Sequence, residues 1–330
     1  MRFPRRRRAT SRASGANPLT SPRALSPSLP GGVRTWLLAI RPATLPASLS
    51  GVIVGLGAAA ASGASFRLDA ALGCTAVALL LQSAANLAND LSDFRRGADT
   101  ATRLGPTRVA ASGLVTIRQL EIAIGIVLVL AGAIGGWLAL IGGPAIVALG
   151  AAAIVALLAY TGGPFPYGYH GLGELFVFVF FGLVAVIGTA ELQSGRVELL
   201  YVLAAIPVGT LTTAILVVNN LRDAITDRAA SKRTLAAIWG EGFARAEYLG
   251  CLIAAWAVPV GLVAARVGGA SLATGPATLL PLLAIPMAVP LWRSVRAEGD
   301  PRRLNPILGG TARLTLVYAL LFAAGLAVGA

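Results

Sequence analysis

Nine apolar stretches dominate this sequence, and most of them approach the ~20 residues that a helix needs to cross a bilayer. Only 12% of the residues are charged, about half the share of an ordinary soluble domain, while 56% are hydrophobic. The sequence therefore predicts an all-α, polytopic membrane protein with about nine transmembrane helices. We expect these helices at 36–61, 70–91, 118–140, 144–160, 172–190, 199–221, 245–266, 273–292 and 311–329.

The basic residues lie mostly beside the apolar stretches and on one side of the membrane. The net charge of +13 would suggest nucleic acid in a soluble protein, but the positive-inside rule explains it here. If the chain starts in the cytoplasm and alternates, only Arg67, Arg196 and Arg266 of the 27 Lys and Arg fall outside. We expect a multi-pass protein of the bacterial cytoplasmic membrane that contacts lipid and no nucleic acid.

The first 33 residues differ in composition from the remainder. They contain seven Arg, many Ser and Pro, and no acidic residue, so they cannot form a buried core. This composition predicts a disordered basic cytoplasmic tail, although an organellar transit peptide has a similar composition. Residues 34–330 then form a single transmembrane domain. Its two cysteines, Cys74 and Cys251, and its one histidine, His170, cannot build a zinc site.

Five of the seven aspartates fall into two short clusters after the second and sixth predicted helices. Asp90, Asp93 and Asp99 form the first cluster, and Asp223 and Asp227 form the second. Both helices end on the cytoplasmic side if the helices alternate, so the two clusters can face each other. Carboxylates near membrane depth are costly and usually face a polar interior, which makes this pair of clusters the candidate functional site.

The polar residues of both clusters recur at the spacing of one helix face. The i,i+4 sets are Asn86 and Asp90, Asn89 and Asp93, and Asn219, Asp223 and Asp227. Two facing stripes of oxygen ligands would repel unless a cation lay between them, and oxygen ligands suit Mg²⁺. Mg²⁺ is generally shared with substrate phosphates, whose remaining charge basic side chains neutralise. Such side chains follow both stripes at Arg95, Arg96, Arg103, Arg108, Arg222, Arg228, Lys232 and Arg233.

Paired carboxylates in a membrane also suit another class of protein. In a cation-coupled transporter they would bind the coupling ion, and the basic residues would bind an anionic substrate. Composition leaves open whether the protein is such a transporter or an enzyme. A requirement for Mg²⁺ and release of pyrophosphate distinguish an enzyme from a carrier.

Four sequence blocks resemble the UbiA-type membrane prenyltransferases, most closely the branch that prenylates 1,4-dihydroxy-2-naphthoate. The blocks cover residues 41–47, 86–108, 160–174 and 219–236 in the order that the family has them. The resemblance implies a UbiA-type helix bundle and transfer of a prenyl chain from a polyprenyl diphosphate to 1,4-dihydroxy-2-naphthoate. Pyrophosphate and CO₂ leave, and the product is demethylmenaquinone. Related enzymes use 4-hydroxybenzoate or homogentisate, and these acceptors remain the alternatives.

The resemblance also implies roles for particular residues. Asp90, Asp93, Asp223 and Asp227 would hold Mg²⁺ and take part in catalysis, and Asp99 would be a further ligand or activate the acceptor. The residues expected to contact substrate are Arg41, Asn89, Arg96, Arg103, Arg108, Tyr160, Asn219, Arg222 and Lys232. Among them Arg41 would bind the acceptor carboxylate or simply extend to the membrane interface as a helix-end arginine. Prenyl length and oligomeric state have no signature in the sequence.

Two positions depart from the family pattern. Ser231 precedes Lys232 where the family usually has Gly, and residues 237–240 replace a segment that more often contains Arg. Neither change removes an expected metal ligand. They affect the expected contacts after the sixth helix and leave the reaction class unchanged.

Overall fold

A computed structural model describes residues 32–97, 104–269, 272 and 274–329, and all the regular secondary structure in these residues is helical. The α-helices are α1 (Gly32–Ile40), α2 (Leu45–Ala61), α3 (Leu68–Arg95), α4 (Ile117–Gly142), α5 (Pro144–Ala159), α6 (Gly173–Val177), α7 (Ala185–Ser194), α8 (Leu199–Ala229), α9 (Leu235–Trp239), α10 (Glu241–Val267), α11 (Ile285–Ala297) and α12 (Leu304–Gly329). Short 3₁₀ segments cover Pro42–Thr44, Tyr167–Tyr169, Pro276–Ala284 and Pro301–Arg303, and a π-helix, Phe178–Val184, joins α6 to α7.

The predicted membrane segments all fall on these helices. Within the described residues, eight helical segments are long and apolar enough to span a membrane. The remaining predicted segment, 144–160, corresponds to α5, a shorter apolar helix of 16 residues. The prediction of an all-α, multi-pass protein is therefore confirmed. Helix α1 begins at Gly32, inside the expected tail, and the rest of that tail lies outside the described residues.

Helix α8 is the most buried of the candidate spans, and α4 is the most exposed. In their apolar windows 72% of α8 is buried but only 17% of α4. Helix α8 packs against α2, α10 and α12, whereas α4 exposes Val129 and Leu140. In a membrane, apolar side chains exposed in this way face lipid. The fold thus places the second aspartate stripe on its central helix.

Small residues let α2 and α12 approach closely. A Cβ atom built on Gly57 of α2 would lie 2.5 Å from the Cα atom of Ala323 on α12. Apolar side chains gain little by leaving lipid, so close van der Waals packing between small residues is a main source of helix association in membranes. Gly57 is therefore a packing position that tolerates no side chain.

We expect Gly57→Val to destabilise the protein by about 1–3 kcal/mol, because the backbone of α12 must move to admit the side chain. The matched control is Gly125→Val on α4, where a new Cβ atom meets no atom within 4 Å. Thermal unfolding of the two purified variants in the same detergent measures the difference. Equal midpoints for the two variants would contradict close packing at Gly57.

Two helices are longer than their apolar stretches indicated. Helix α3 continues to Arg95 and α8 continues to Ala229, so Asp93, Asp223 and Asp227 lie within helices. The final polar turns stay helical because their side chains have partners inside the protein. The i,i+4 stripes predicted from the sequence are therefore real helix faces.

Candidate active site

The first helical segment breaks where Arg41 precedes Pro42. Arg41 has a left-handed backbone (φ 52°, ψ 75°), consistent with the steric clash that disfavours an α-helical residue before proline. The Nδ2 atom of Asn86 on α3 fixes the break, since it donates to the carbonyl oxygen of Ile40 at 2.8 Å and to Thr44 Oγ1 at 2.9 Å. This geometry places the Arg41 side chain in the wall of a polar cavity.

Asp90 binds the chain segment that follows α3. Its carboxylate accepts hydrogen bonds from the backbone N–H groups of Val109, at 3.0 Å, and Ala110, at 3.2 Å. The residue is buried and does not line the polar cavity. Backbone N–H groups satisfied by a carboxylate hold a loop firmly. Asp90 therefore positions the segment that carries Arg108.

Asp93 lies one turn further along and faces the polar cavity. Its Oδ2 atom pairs with Arg108 at 2.7 Å, and its Oδ1 atom accepts a hydrogen bond from the Tyr169 hydroxyl at 2.9 Å. Both side chains of the ion pair are buried. Burial, followed by the Asp93 charge, raises the pKa of Tyr169, so its phenol stays protonated and donates.

Tyr169 also connects the loop before α6 to both polar clusters. Its ring lies between Arg96 and Lys232, with centroid distances of 5.6 and 5.4 Å. Arg96 donates to the carbonyl oxygens of Thr161, at 2.9 Å, and Gly163, at 2.6 Å. These contacts fasten the loop that covers the polar cavity. Little in the sequence indicated that Tyr169 belongs to the site, because it is one of several aromatic residues among Gly and Pro.

Asp223 on α8 faces the polar cavity and is held by its neighbour Arg222. The guanidinium group binds both carboxylate oxygens, at 2.6 and 2.8 Å. Arg222 also donates to Asn219 Oδ1 and to Asn305 Oδ1, each at 2.8 Å. Asn305 in turn donates to the carbonyl oxygen of Leu104, at 3.0 Å. Arg222 thus ties the second stripe to the segment after the first, and no sequence pattern pointed to Asn305.

Asp227 is the last carboxylate of the second stripe. Lys232 lies 3.8 Å from its Oδ1 atom, and the backbone N–H of Lys232 donates to the Asp227 carbonyl oxygen at 2.8 Å. The turn between them places Ser231 at φ 57°, a left-handed conformation that favours glycine. The glycine usual in the family has a local physical reason here.

Replacing Ser231 by Gly is expected to stabilise the protein by roughly 0.5–1 kcal/mol, because a Cβ atom is strained in this conformation. Ser83→Gly in the middle of α3 is the matched change at a right-handed position, and it should destabilise by about the same amount. Denaturation midpoints of both variants test the sign. A loss of stability in Ser231→Gly would refute the strain argument.

Two neighbouring cavities that share several lining residues lie between the helices. The polar cavity has a volume of about 180 Å³, and an apolar cavity of about 560 Å³ extends from it among α3, α4, α5 and α7. Asn89, Tyr160, Phe181 and Leu216 border both cavities. Such a shape matches a ligand with a charged head and a long apolar tail.

Most of the residues predicted for the site come together in the polar cavity. Those that line it are Arg41, Asn89, Asp93, Arg108, Tyr160, Asn219, Asp223, Asp227 and Lys232. Asp90, Arg96 and Arg222 do not line it and instead bind other groups of the protein. Asp99 and Arg103 lie outside the described residues.

Side-chain oxygen atoms from both stripes line the polar cavity. Among the described residues, no three Asp, Glu, His or Cys side chains are already close enough together to bind a metal ion. Three carboxylates and three basic side chains line the polar cavity, and Arg222, paired with Asp223, adds a fourth basic group. A bound diphosphate would carry more negative charge than this one excess positive charge offsets. The donor set and this deficit fit Mg²⁺, which is commonly held by one or two carboxylates together with substrate phosphates.

The chain is similar in sequence to known proteins. The model of the UbiA prenyltransferase family matches residues 48–306. A Mycobacterium tuberculosis protein named 1,4-dihydroxy-2-naphthoate octaprenyltransferase is 41% identical over 89% of this chain and 97% of its own length. An Escherichia coli protein of the same name is 36% identical over 89% and 95%.

The fold also resembles that of solved structures. A UbiA homolog from Archaeoglobus fulgidus bound to GPP and Mg²⁺ superposes with a TM-score of 0.61 at 13% identity, covering 87% of this chain and 99% of the homolog. At this identity the likeness concerns the fold alone. Together with the family match and the two relatives, it leads to one assignment: the chain belongs to the UbiA prenyltransferase family.

Proposed function

We propose that this protein transfers a prenyl chain from a polyprenyl diphosphate to 1,4-dihydroxy-2-naphthoate. The observation that carries the proposal is the junction of the polar cavity with the larger apolar cavity at Asn89, Tyr160 and Phe181. A diphosphate fits the first and an isoprenoid tail fits the second. The allylic carbon between head and tail then lies at the junction, between the two aspartate stripes.

The basic side chains of the polar cavity would hold the diphosphate. Arg108 and Lys232 already lie beside Asp93 and Asp227, so modest movements bring them onto phosphate oxygens. Mg²⁺, when bound by Asp93, Asp223 and Asp227, supplies positive charge that stabilises the departing pyrophosphate. Asn89 and Asn219 would add uncharged oxygen ligands from the two facing helices.

The reaction balances without a redox partner. The allylic C–O bond breaks, and its electron pair leaves with pyrophosphate. The acceptor ring forms a C–C bond to the allylic carbon, its carboxylate leaves as CO₂, and the product is the quinol form of demethylmenaquinone. The allylic cation must be kept from water, and the half-buried side chains of Tyr160 and Phe181, which border both cavities, would serve that purpose.

Arg41 is the residue we assign to the acceptor. It lines the polar cavity at the break before α2, on the wall that also contains Thr44 and Gln82. A guanidinium group binds a planar carboxylate through paired hydrogen bonds, and 1,4-dihydroxy-2-naphthoate has such a group. The names of the relatives from Mycobacterium tuberculosis and Escherichia coli support this acceptor over 4-hydroxybenzoate and homogentisate.

We place the site on the cytoplasmic side of a bacterial cytoplasmic membrane. The polar cavity lies at the ends of α3 and α8 that carry Arg95 and Arg228, whereas Arg67 and Arg196 lie at the opposite ends of these helices. The positive-inside rule supports this orientation. Water-soluble acceptor and Mg²⁺ would then reach the site from the cytoplasm while the prenyl tail stays within the bilayer.

The test uses membranes that contain the full chain, a labelled polyprenyl diphosphate, Mg²⁺ and one acceptor at a time. The acceptors are 1,4-dihydroxy-2-naphthoate, 4-hydroxybenzoate and homogentisate, and lipid-soluble product and pyrophosphate are both measured. We expect product with 1,4-dihydroxy-2-naphthoate only, and none after EDTA. Product with another acceptor alone would overturn the acceptor assignment, and no product with any acceptor from folded protein would overturn the reaction.

A further inference from the structure

A buried carboxyl group and a buried amide face each other behind the site. Glu174 lies in the first turn of α6 and is 6% exposed, and Asn220 of α8 is 2% exposed. Neither residue lines the polar or the apolar cavity. Asn220 Nδ2 donates to Glu174 Oε1 at 2.7 Å, so the two side chains are in direct contact.

The other two oxygen atoms of this pair lack a hydrogen-bond partner among the described residues. They are Glu174 Oε2 and Asn220 Oδ1, and both are buried. If Glu174 were ionised, Oε2 and Asn220 Oδ1 would both be acceptors, and neither has a hydrogen-bond donor among the described residues. Such a loss is costly for a buried polar group, and it is largest for a charged one.

We propose that Glu174 carries a proton on Oε2 and donates it to Asn220 Oδ1, giving a neutral, reciprocal acid–amide pair that positions α8. One proton satisfies both oxygen atoms, and the observed bond from Asn220 Nδ2 closes the ring. The protonated carboxyl group is a donor as well as an acceptor, which an ionised one is not.

Burial of Glu174 favours the neutral form. The charged and titratable groups within electrostatic range are Glu247 and Cys251 on α10, Tyr160 at the end of α5, and Lys232. Lys232 favours the charged form, but it lies beside Asp227, which shares its charge. A negative charge on Glu174 would oppose binding of an anionic ligand in the adjacent polar cavity.

The pair connects α6 to the helix that carries the second aspartate stripe. Asn220 is next to Asn219, and Thr213, about two turns earlier, donates to the Glu174 backbone carbonyl at 3.4 Å. Two contacts on one face of α8 fix its rotation, and rotation decides whether Asn219 and Asp223 face the polar cavity. Glu174 is therefore a positioning residue that acts through Asn220.

The test compares four variants of the full chain in detergent: Glu174→Gln, Glu174→Ala, Asn220→Asp and the double variant Glu174→Gln with Asn220→Asp. Glutamine keeps a reciprocal neutral pair, so we expect its activity and thermal midpoint to stay within about twofold and a few degrees of wild type. Alanine and the single aspartate variant should each lose activity by about tenfold or more. The double variant should recover, because acid and amide have exchanged places.

Infrared spectroscopy detects whether the Glu174 carboxyl group is protonated. A buried protonated carboxyl group gives a carbonyl band that shifts in heavy water, and we expect this band in wild type at neutral pH. It should disappear in Glu174→Gln, return in the double variant and persist in Glu247→Gln, which removes a neighbouring carboxyl group. These readouts do not depend on the identity of the substrate.

Two results would overturn the proposal. One is the absence of the Glu174 band in folded wild-type protein. The other is a Glu174→Gln variant as impaired as Glu174→Ala, because an ionised carboxylate would then be what α8 requires. If the aspartate variants fail to fold, the comparison of wild type with Glu174→Gln decides the question alone.

Discussion

Asp93→Asn and Asp223→Asn are each expected to reduce turnover by about a hundred- to a thousandfold. Each variant should also lose stability but stay folded, because a buried arginine loses its charge partner. Both carboxylates line the polar cavity, one on α3 and one on α8. Asparagine keeps the shape of aspartate but removes the charge that would hold Mg²⁺ against a diphosphate. Turnover is measured with labelled polyprenyl diphosphate. The folded state is checked by whether each variant elutes as a single species in detergent.

Two other aspartates on α3 serve as controls. Asp69 lies at the opposite end of the helix and is paired with Arg67 at the surface, so Asp69→Asn should have normal turnover. Asp90→Asn keeps an oxygen that can accept one of the two backbone hydrogen bonds, so we expect an intermediate loss of activity and some loss of stability. Full activity in Asp93→Asn would exclude this carboxylate from the metal site.

Arg108→Ala is expected to lower the free energy of unfolding by about 3–5 kcal/mol and also to remove most turnover. The Arg108 and Asp93 side chains are 6% and 5% exposed and pair at 2.7 Å. Removing the arginine leaves a buried carboxylate whose main charge partner is gone, and this accounts for the stability loss. Loss of a cation from the polar cavity accounts for the loss of turnover.

The double variant Arg108→Ala with Asp93→Ala separates these two effects. Removing both charges should restore much of the stability, because no buried charge is left uncompensated, but it should not restore turnover. The surface pair of Arg95 and Glu121 is the control, since its side chains are about half exposed and Arg95→Ala should cost less than about 1 kcal/mol. If the double variant is no more stable than Arg108→Ala, the buried pair is not the source of the effect.

Spacing along the chain predicted much of this site. The i,i+4 pattern of Asn89 and Asp93, and of Asn219, Asp223 and Asp227, follows from helix geometry alone. Alternation of the spans then placed both stripes on one side, and the structure brings these five residues to one cavity. The glycine that the family usually has at the position of Ser231 also has a local cause, since the backbone there is left-handed.

The spacing of the polar residues along the chain could not show that Asp90 and Asp93 make different contacts. The two residues are one turn apart on nearly the same face of α3, and both suit a metal site by composition. Asp90 instead satisfies the N–H groups of Val109 and Ala110, about twenty residues away along the chain. That contact depends on the path of the loop after α3, which local periodicity does not encode.

The sequence by itself determined the membrane fold and the two facing carboxylate stripes, and it predicts the class of ligand chemistry. These follow from apolar length, charge placement and helical period, which are properties of short stretches. Only the tertiary structure decided that Arg222 holds Asn305, that Glu174 meets Asn220, and that an apolar cavity borders the polar one. Such contacts join residues from separate helices, and their geometry exists only after the helices pack.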